Sequence, residues 1–470
     1  MLASGASAAT TEIGEACQYN SSQKVNPDFK TMNCLLTETA LKYNVPPEIV
    51  KALAEGESGN WRHFDSNGEA IVTDDNGIGV MQITNQSGYD PQLLKNDIAY
   101  NIKAGVEILD YMFKRTDLPS INGKDRNVLE HWYFAIMAYN GTKPVNSPVV
   151  QATGKPNPNA YQEKIIDNLE EFGNIKLAEL PFTTADFRYD SNSSANIEFV
   201  TKKYHFNLPF TKTKHSFKNG QKVQATTAMN LRTRATTDSN SKGQIAKGEI
   251  LTITGPFQYE EVATRKNHFV WYPVKRSNGT TGYVASSYLK NRFSDVTAGH
   301  YAQEEIEYLV DRGIIEGVGG NKYGVGQGLT RWQAVLILTR ANNVSLENRP
   351  DPGFRDVPKT HKYYKEIAAA VEEGLFNGLS ETEFKPDKTL TRAEMAAVLQ
   401  RLFEFPDATT KHPFTDFTQK DWFKDDVARL YAAGITDGVT PITFGPSKTV
   451  TREQFAVFMV RSMEPSYRLK

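Results

Sequence analysis

The chain has 470 residues, 39% of them hydrophobic and 23% charged, with a mean hydropathy of −0.50. At about 100 to 200 residues per domain, that length holds roughly three to five units. The 54 Lys and Arg against 55 Asp and Glu leave a net charge of −1, which gives no electrostatic ground for a nucleic-acid or anionic-membrane partner, and no stretch approaches the roughly 20 apolar residues of a membrane span.

Residues 1–28 are small and polar. Their start, MLASGASAATTEIG, is similar to the small-residue end of a secretory signal, so Met1 is expected inside or just after a signal peptide of a secreted protein. The two cysteines, Cys17 and Cys34, have 16 residues between them. They form either a disulfide worth about 3 kcal/mol in the chain-entropy model or two free thiols.

From 29 to 175 the apolar residues recur at helical spacing around Leu35, from Ile49 to Leu53, Ile98 to Met112, Leu129 to Ala138 and Tyr161 to Phe172. In PPEIVKALAEGES, Ile49, Leu53 and Glu57 fall at i, i+4 and i+8, which sets a carboxylate on the core-facing stripe. Such a Glu is either paired with a cation or with backbone amides, or it is a general acid whose pKa burial has raised. The loop that follows is long and acidic, with Asp65, Asp74 and Asp75.

Residues 176–219 show no clear period and read as a linker with one or two short strands. Between 220 and 292, short alternating runs such as KVQATT, ILTITG and VWYPVK, divided by turns, predict a small β-barrel of five to seven strands. Trp271 and Tyr272 are either a binding face of that barrel or part of its packing.

The rest repeats itself at intervals of about 60 residues, giving units 293–352, 353–412 and 413–470. Phe293-Ser294-Asp295, Phe354-Arg355-Asp356 and Phe414-Thr415-Asp416 open the units; Gly317, Gly378 and Gly438 end a turn in each; and Thr330-Arg331, Thr391-Arg392 and Thr451-Arg452 begin a helix in each. The first unit departs most, with YGVGQG where the others have FKPDK or FGPSK. The Thr with Gln333, Glu394 or Gln454 makes a capping box. The Arg opposes the helix dipole. It either forms an anion site with the free amides of the helix start or pairs with Asp295, Asp356 or Asp416.

Glu57-Ser58, GIGVMQIT, YNIKAG around Asn101 and Gly105, MAYNG and Tyr161 come in the order of the soluble lytic transglycosylase domain, which residues 30–170 resemble; Val80 replaces that pattern's Leu. The resemblance implies an all-α, lysozyme-like fold and cleavage of peptidoglycan glycan strands between N-acetylmuramic acid and N-acetylglucosamine, with closure of a 1,6-anhydro ring. Glu57 would act as acid and then base, Ser58 would orient it or the substrate's acetamido group, and Gln82, Tyr139, Asn140 and Tyr161 would line the groove. A hydrolytic muramidase using one of the loop aspartates and a catalytically idle wall-binding protein are the alternatives.

NLRTRATTDSN, GQIAKGEILTITG and WYPVKRSNGTTGYVASSYL resemble a bacterial SH3-like domain, and the three units resemble S-layer homology modules. The latter likeness implies α-helical modules that bind a pyruvylated secondary cell wall polysaccharide through Asp295, Gly317, Arg331, Asp356, Gly378, Arg392, Asp416, Gly438 and Arg452. The expected architecture is therefore multidomain, with the helical domain at 29–175, the barrel at 220–292 and the modules beyond. Neither metal-ligand spacing nor a nucleotide fingerprint occurs, so no cofactor is expected.

Overall fold

In the computed structural model, residues 12–84, 88–206, 208–293, 295–296, 300–320, 322–408 and 410–469 are described. The signal-like start lies outside them up to residue 11. The chain divides into two compact units, 1–206 with 210–292, and 293–470 with 207–209.

In the first unit, helices α1 (Phe29–Lys42), α2 (Pro47–Ser58), α3 (Pro91–Asn96), α4 (Ile98–Lys114), α5 (Tyr133–Asn140) and α6 (Tyr161–Gly173) build the helical lobe. Their starts are written locally. Asp28, Asp90 and Asp97 accept amide hydrogen bonds at the heads of α1, α3 and α4, and Pro47 occupies the first turn of α2, where its missing N–H costs nothing. Leu35, Leu36, Ile49, Leu53, Ile102, Leu109 and Trp132 fill the core with α2 at its centre. Of the region expected to be helical from Leu129, the first turn, Leu129–Trp132, is a 3-10 turn. Cys17 and Cys34 are joined in a disulfide, which decides between the two readings of that pair.

The segment expected to be a linker is built into this lobe. Phe187, Phe199 and Tyr204 pack with Tyr133 and Phe134 of α5 in a second core. Strand β1 (Ser120–Ile121) pairs in parallel with β4 (Lys203–Tyr204), and β2 (Phe187–Arg188) pairs antiparallel with β3 (Glu198–Phe199). Buried Glu130 accepts from the amides of Ala178 and Thr211, tying both ends of the segment down. The lobe is thus helical with short strands added.

Seven strands, β5 (Lys222–Ala225), β6 (Met229–Arg232), β7 (Ser241–Ile245), β8 (Ile250–Ile253), β9 (Trp271–Lys275), β10 (Thr281–Ala285) and β11 (Leu289–Asn291), form one antiparallel sheet in the order β11-β5-β8-β9-β10-β6-β7. Val223, Leu231, Leu251, Tyr272, Val274 and Val284 fill it. Trp271 and Tyr272 are 3% and 0% exposed, so they pack inside and form no exposed face.

The second unit has two helices per repeat, α7 (Gln303–Asp311) and α8 (Arg331–Ala341), α9 (Tyr364–Glu372) and α10 (Arg392–Phe403), and α11 (Lys424–Ala432) and α12 (Arg452–Met463). Capping boxes open α8, α10 and α12. The residues before these helices are extended and close a ring of backbone hydrogen bonds. Leu329 N donates to Val450 O, Val450 N to Leu390 O, and Leu390 N to Leu329 O, at 2.8 to 2.9 Å. The three repeats therefore share one core, and extended pieces join the helices in building it.

Candidate active site

Glu57 stands in the last turn of α2. Ile49 and Leu53 before it are fully buried, whereas Glu57 is half-buried, at the point where the stripe reaches the surface. Burial raises its carboxyl from an ordinary 4.5 to about 7; the Tyr161 hydroxyl pulls it down and the charge of Asp75 pushes it up. The group therefore keeps its proton close to neutral pH.

Tyr161, the first residue of α6, donates its hydroxyl hydrogen to Glu57 Oε1. Burial first, and then the nearby Glu57 charge, hold the Tyr161 phenol well above its ordinary value, so it remains a donor. Its position is set from behind. Asn146 Oδ1 accepts from Tyr161 N at 3.1 Å, and Asn146 Nδ2 donates to Asn140 Oδ1 and Gly141 O at 2.9 and 2.8 Å. Gln162 Nε2 in turn donates to Asn146 O.

The other expected site residues are hydrogen-bonded within the protein. Ser58 Oγ donates to Ala54 O one turn back, the usual competition of a serine with its own helix, and makes no bond to Glu57. The Tyr139 hydroxyl donates to Met81 O at 2.8 Å. Gln82 sits in the left-handed region at φ 47°, with Nε2 on Gly79 O and Oε1 accepting from Thr73 Oγ1. Asn140 is exposed beside the Glu57–Tyr161 pair's support.

The glycine-rich turn is tight for a visible reason. A Cβ at Gly79, where φ is +70°, would lie 2.3 Å from the His63 ring and 2.8 Å from Asn101 Nδ2. Asn101 binds that turn through Met81 N and Ile78 O and ties it to α3 through Leu94 O, and His63 Nδ1 accepts from Val80 N. His63 and Asn146 escaped sequence reasoning because neither sits in a motif; a lone buried polar residue has no periodic signal.

Of the loop carboxylates, exposed Asp65 holds the amides of Asn67 and Glu69, and Asp75 accepts from Thr73 Oγ1. Asp75 is the one whose charge acts on Glu57.

In the second unit, the repeated Arg hydrogen-bonds to backbone carbonyls, while the charges of Asp356, Asp416 and Asp295 act on Arg331, Arg392 and Arg452. Arg331, Arg392 and Arg452 are each 4% exposed. Arg331 donates to Phe384 O and Asn377 O, Arg392 to Phe444 O, and Arg452 to Tyr323 O and Glu316 O, each reaching the next repeat around the ring. Their charges also face the rings of Phe384, Phe444 and Tyr323.

Asp295, Asp356 and Asp416 accept instead from backbone amides, such as Tyr323 N, Phe384 N and Phe444 N. Gly317, Gly378 and Gly438 leave room for Phe293, Phe354 and Phe414, whose ring carbons would lie 2.5 to 2.6 Å from an added Cβ. Among the described residues no three His, Cys, Asp or Glu side chains are grouped to hold a metal ion, and no helix is long and apolar enough to cross a membrane.

Family models match the chain in three places. Residues 35–161 match the transglycosylase SLT domain, 227–290 the bacterial SH3 domain, and 292–335, 353–396 and 413–456 the S-layer homology domain. The chain is 36% identical over 185 residues to the Surface-layer 125 kDa protein of Lysinibacillus sphaericus, covering 38% of this chain and 15% of that protein. It is 31% identical over 169 residues to S-layer protein EA1 of Bacillus anthracis, covering 36% and 19%. With an endoglucanase of Bacillus sp. (strain KSM-635) it shares 30% identity over 170 residues, 35% of this chain and 18% of that enzyme. The chain thus spans less than a fifth of the length of these relatives.

Proposed function

We propose that the chain is a secreted peptidoglycan lytic transglycosylase held on the cell wall by its S-layer homology modules. The SLT match points to lytic transglycosylase activity, and the S-layer homology modules to wall association. The observation that carries the finer reading is a carboxylic acid protonated near neutral pH, Glu57, hydrogen-bonded on one oxygen by Tyr161.

Because Tyr161 donates to Oε1, the carboxyl proton is carried on Oε2, free to be given to a glycosidic oxygen. The bond from C1 of N-acetylmuramic acid to that oxygen breaks, and the oxygen leaves as the 4-hydroxyl of N-acetylglucosamine. The substrate's acetamido group supports the positive charge at C1. Glu57, now ionised and still held by Tyr161, takes the proton of the sugar's 6-hydroxyl as its oxygen closes on C1. No water is consumed, and Glu57 ends protonated. The modules would hold the enzyme to a pyruvylated wall polysaccharide while this proceeds.

Hydrolysis is the second reading, favoured by the electrostatic coupling of Asp75 to Glu57; Asp75 would then activate a water. Mass spectrometry of muropeptides released from purified sacculi separates the two. Products with 1,6-anhydro ends that vanish with Glu57→Gln are expected. Reducing ends alone would replace the proposal by hydrolysis, and no release at all would leave an idle wall-binding protein.

A further inference from the structure

Helix α2 has a second, polar face. Glu48, Lys51 and Glu55 follow at i, i+3 and i+7; Glu48 and Lys51 are only 2% and 0% exposed. Charged groups are buried at large cost unless they are paired, and the partners here come from the strand-rich half of the unit. Glu48 accepts from Thr213 Oγ1 and Lys214 N and lies 2.9 Å from His215 Nδ1. Lys51 Nζ lies 3.0 Å from His215 Nε2 and donates to His268 O at 2.8 Å. Glu55 accepts from Lys266 Nζ at 2.8 Å. His268 and Lys266 belong to residues 254–270, the long loop between β8 and β9.

Beyond Glu57 the backbone makes an unusual turn. Gly59, Asn60 and Trp61 have φ of 56°, 55° and 52° in succession, a region costly for a bulky side chain such as Trp. Strain of this kind persists only where the surroundings fix it. The same loop does so. Lys266 Nζ also donates to Asn60 Oδ1 at 2.8 Å, and the Trp61 ring stacks on His268 at 4.7 Å while its Nε1 donates to Lys51 O. Lys266 itself rests over the Phe172 ring of α6, 4.1 Å from its centroid, so it touches both helices that bring Glu57 and Tyr161 together.

We infer that the barrel's loop is part of the catalytic apparatus, with Lys266 a positioning residue that locks the C-terminal turn of α2 through Glu55 and Asn60 and so fixes Glu57 against Tyr161. This rests on Glu57 being the proton donor. Lys266 does not touch substrate; it acts through α2. An SH3-like domain in this chain is then a structural partner of the active site.

The test uses the full chain with Lys266→Met and Lys266→Arg, assayed on purified sacculi across pH, with hydrogen exchange followed for residues 47–61 in the same preparations. Lys266→Met is expected to lower kcat about tenfold with little change in KM, since small misplacements of a reacting group are costly, and to speed exchange in the 55–61 turn about tenfold. It removes the cation beside Glu55, leaving that carboxylate's negative charge less neutralised near Glu57, so the alkaline limb of the rate profile moves up by about half a unit; general loss of fold would lower the rate without moving that limb. Lys266→Arg is expected to restore rate and limb.

If Lys266→Met does not fold, Glu55→Gln removes the same pair from the other side and is expected to give the same faster exchange. Wild-type kcat, limb and exchange in either variant would overturn the inference. An inactive wild type whose exchange still rises with Lys266→Met would support the lock and defeat the reading of Glu57 alone.

Discussion

Glu55 and Glu57 are two residues apart on one helix and lie at opposite ends of the carboxylate range. Burial raises Glu57 to about 7. Burial would raise Glu55 as well, but His268, Lys266 and the Asn60 amide outweigh it and hold Glu55 at about 2. A pair of acids driven apart by their surroundings is how one site separates a proton donor from a fixed charge.

That difference predicts a pH dependence of stability with a definite sign. Above an ordinary 4.5 the unfolded chain has released the Glu57 proton, which the folded chain keeps until about 7, so the folded state loses stability between those values and no further above them. Glu57→Gln removes the loss. It should match wild type near pH 4 and exceed it at pH 8 by up to about 3 kcal/mol. Calorimetry at the two pH values checks this, and equal stability at both would contradict it. Glu55 runs the other way: its contribution is present above 4.5 and lost as pH falls through about 2.

Tyr161→Phe tests the other half of the site. The hydroxyl favours the ionised form of Glu57, so its loss should move the alkaline limb of the pH–rate profile to higher pH. It also removes a charge-assisted hydrogen bond worth about 1.5 to 3 kcal/mol, which corresponds to roughly a tenfold to hundredfold fall in kcat. Steady-state rates on sacculi from pH 5 to 9 read both, and a limb shifted downward would count against the assignment of Tyr161.

For Arg392 the structure changes what a wall-binding experiment can mean. The guanidinium is buried and donates to Phe444 O across the junction of repeats two and three. Arg392→Ala should therefore cost about 2 to 4 kcal/mol, from an unpaired buried carbonyl and a cavity, and lower the melting temperature of the second unit. Lost wall binding in this variant reports the missing junction. A variant that melts with wild type would restore the view of Arg392 as a free anion ligand.

Much of this was legible in the chain because periodic signals are strong. The stripe of Ile49 and Leu53 placed α2 and put Glu57 at its end, and Thr391 with Glu394 announced a capping box that is present. What escaped was contact between distant residues. Phe187, Phe199 and Tyr204 each fill one gap beside α5, and aromatics used singly show no period, so their segment read as a linker. The buried pairing of Lys51 and Glu55 left no local signal, since their partners His215 and Lys266 lie more than 150 residues away. The bond of Arg392 to Phe444 O is hidden for the same reason: its acceptor is a backbone carbonyl, which no side-chain pattern reveals.

Two glycines of the second repeat should respond differently to alanine. Gly374 has a positive φ of 70° but open space around the missing Cβ, so Gly374→Ala pays only for backbone conformation, about 1 kcal/mol. At Gly378 a Cβ would meet Ser380 O at 2.4 Å and Phe354 Cε1 at 2.5 Å. Phe354 cannot yield cheaply, because two residues on, Asp356 accepts from Phe384 N and Lys385 N and fixes the turn that receives Arg331. Gly378→Ala should therefore disturb the ring joint as well as the local turn, at about 2 to 4 kcal/mol. Melting of the second unit in the two single variants compares them directly. A smaller effect at Gly378 than at Gly374 would show that Phe354 moves freely and that the joint does not depend on it.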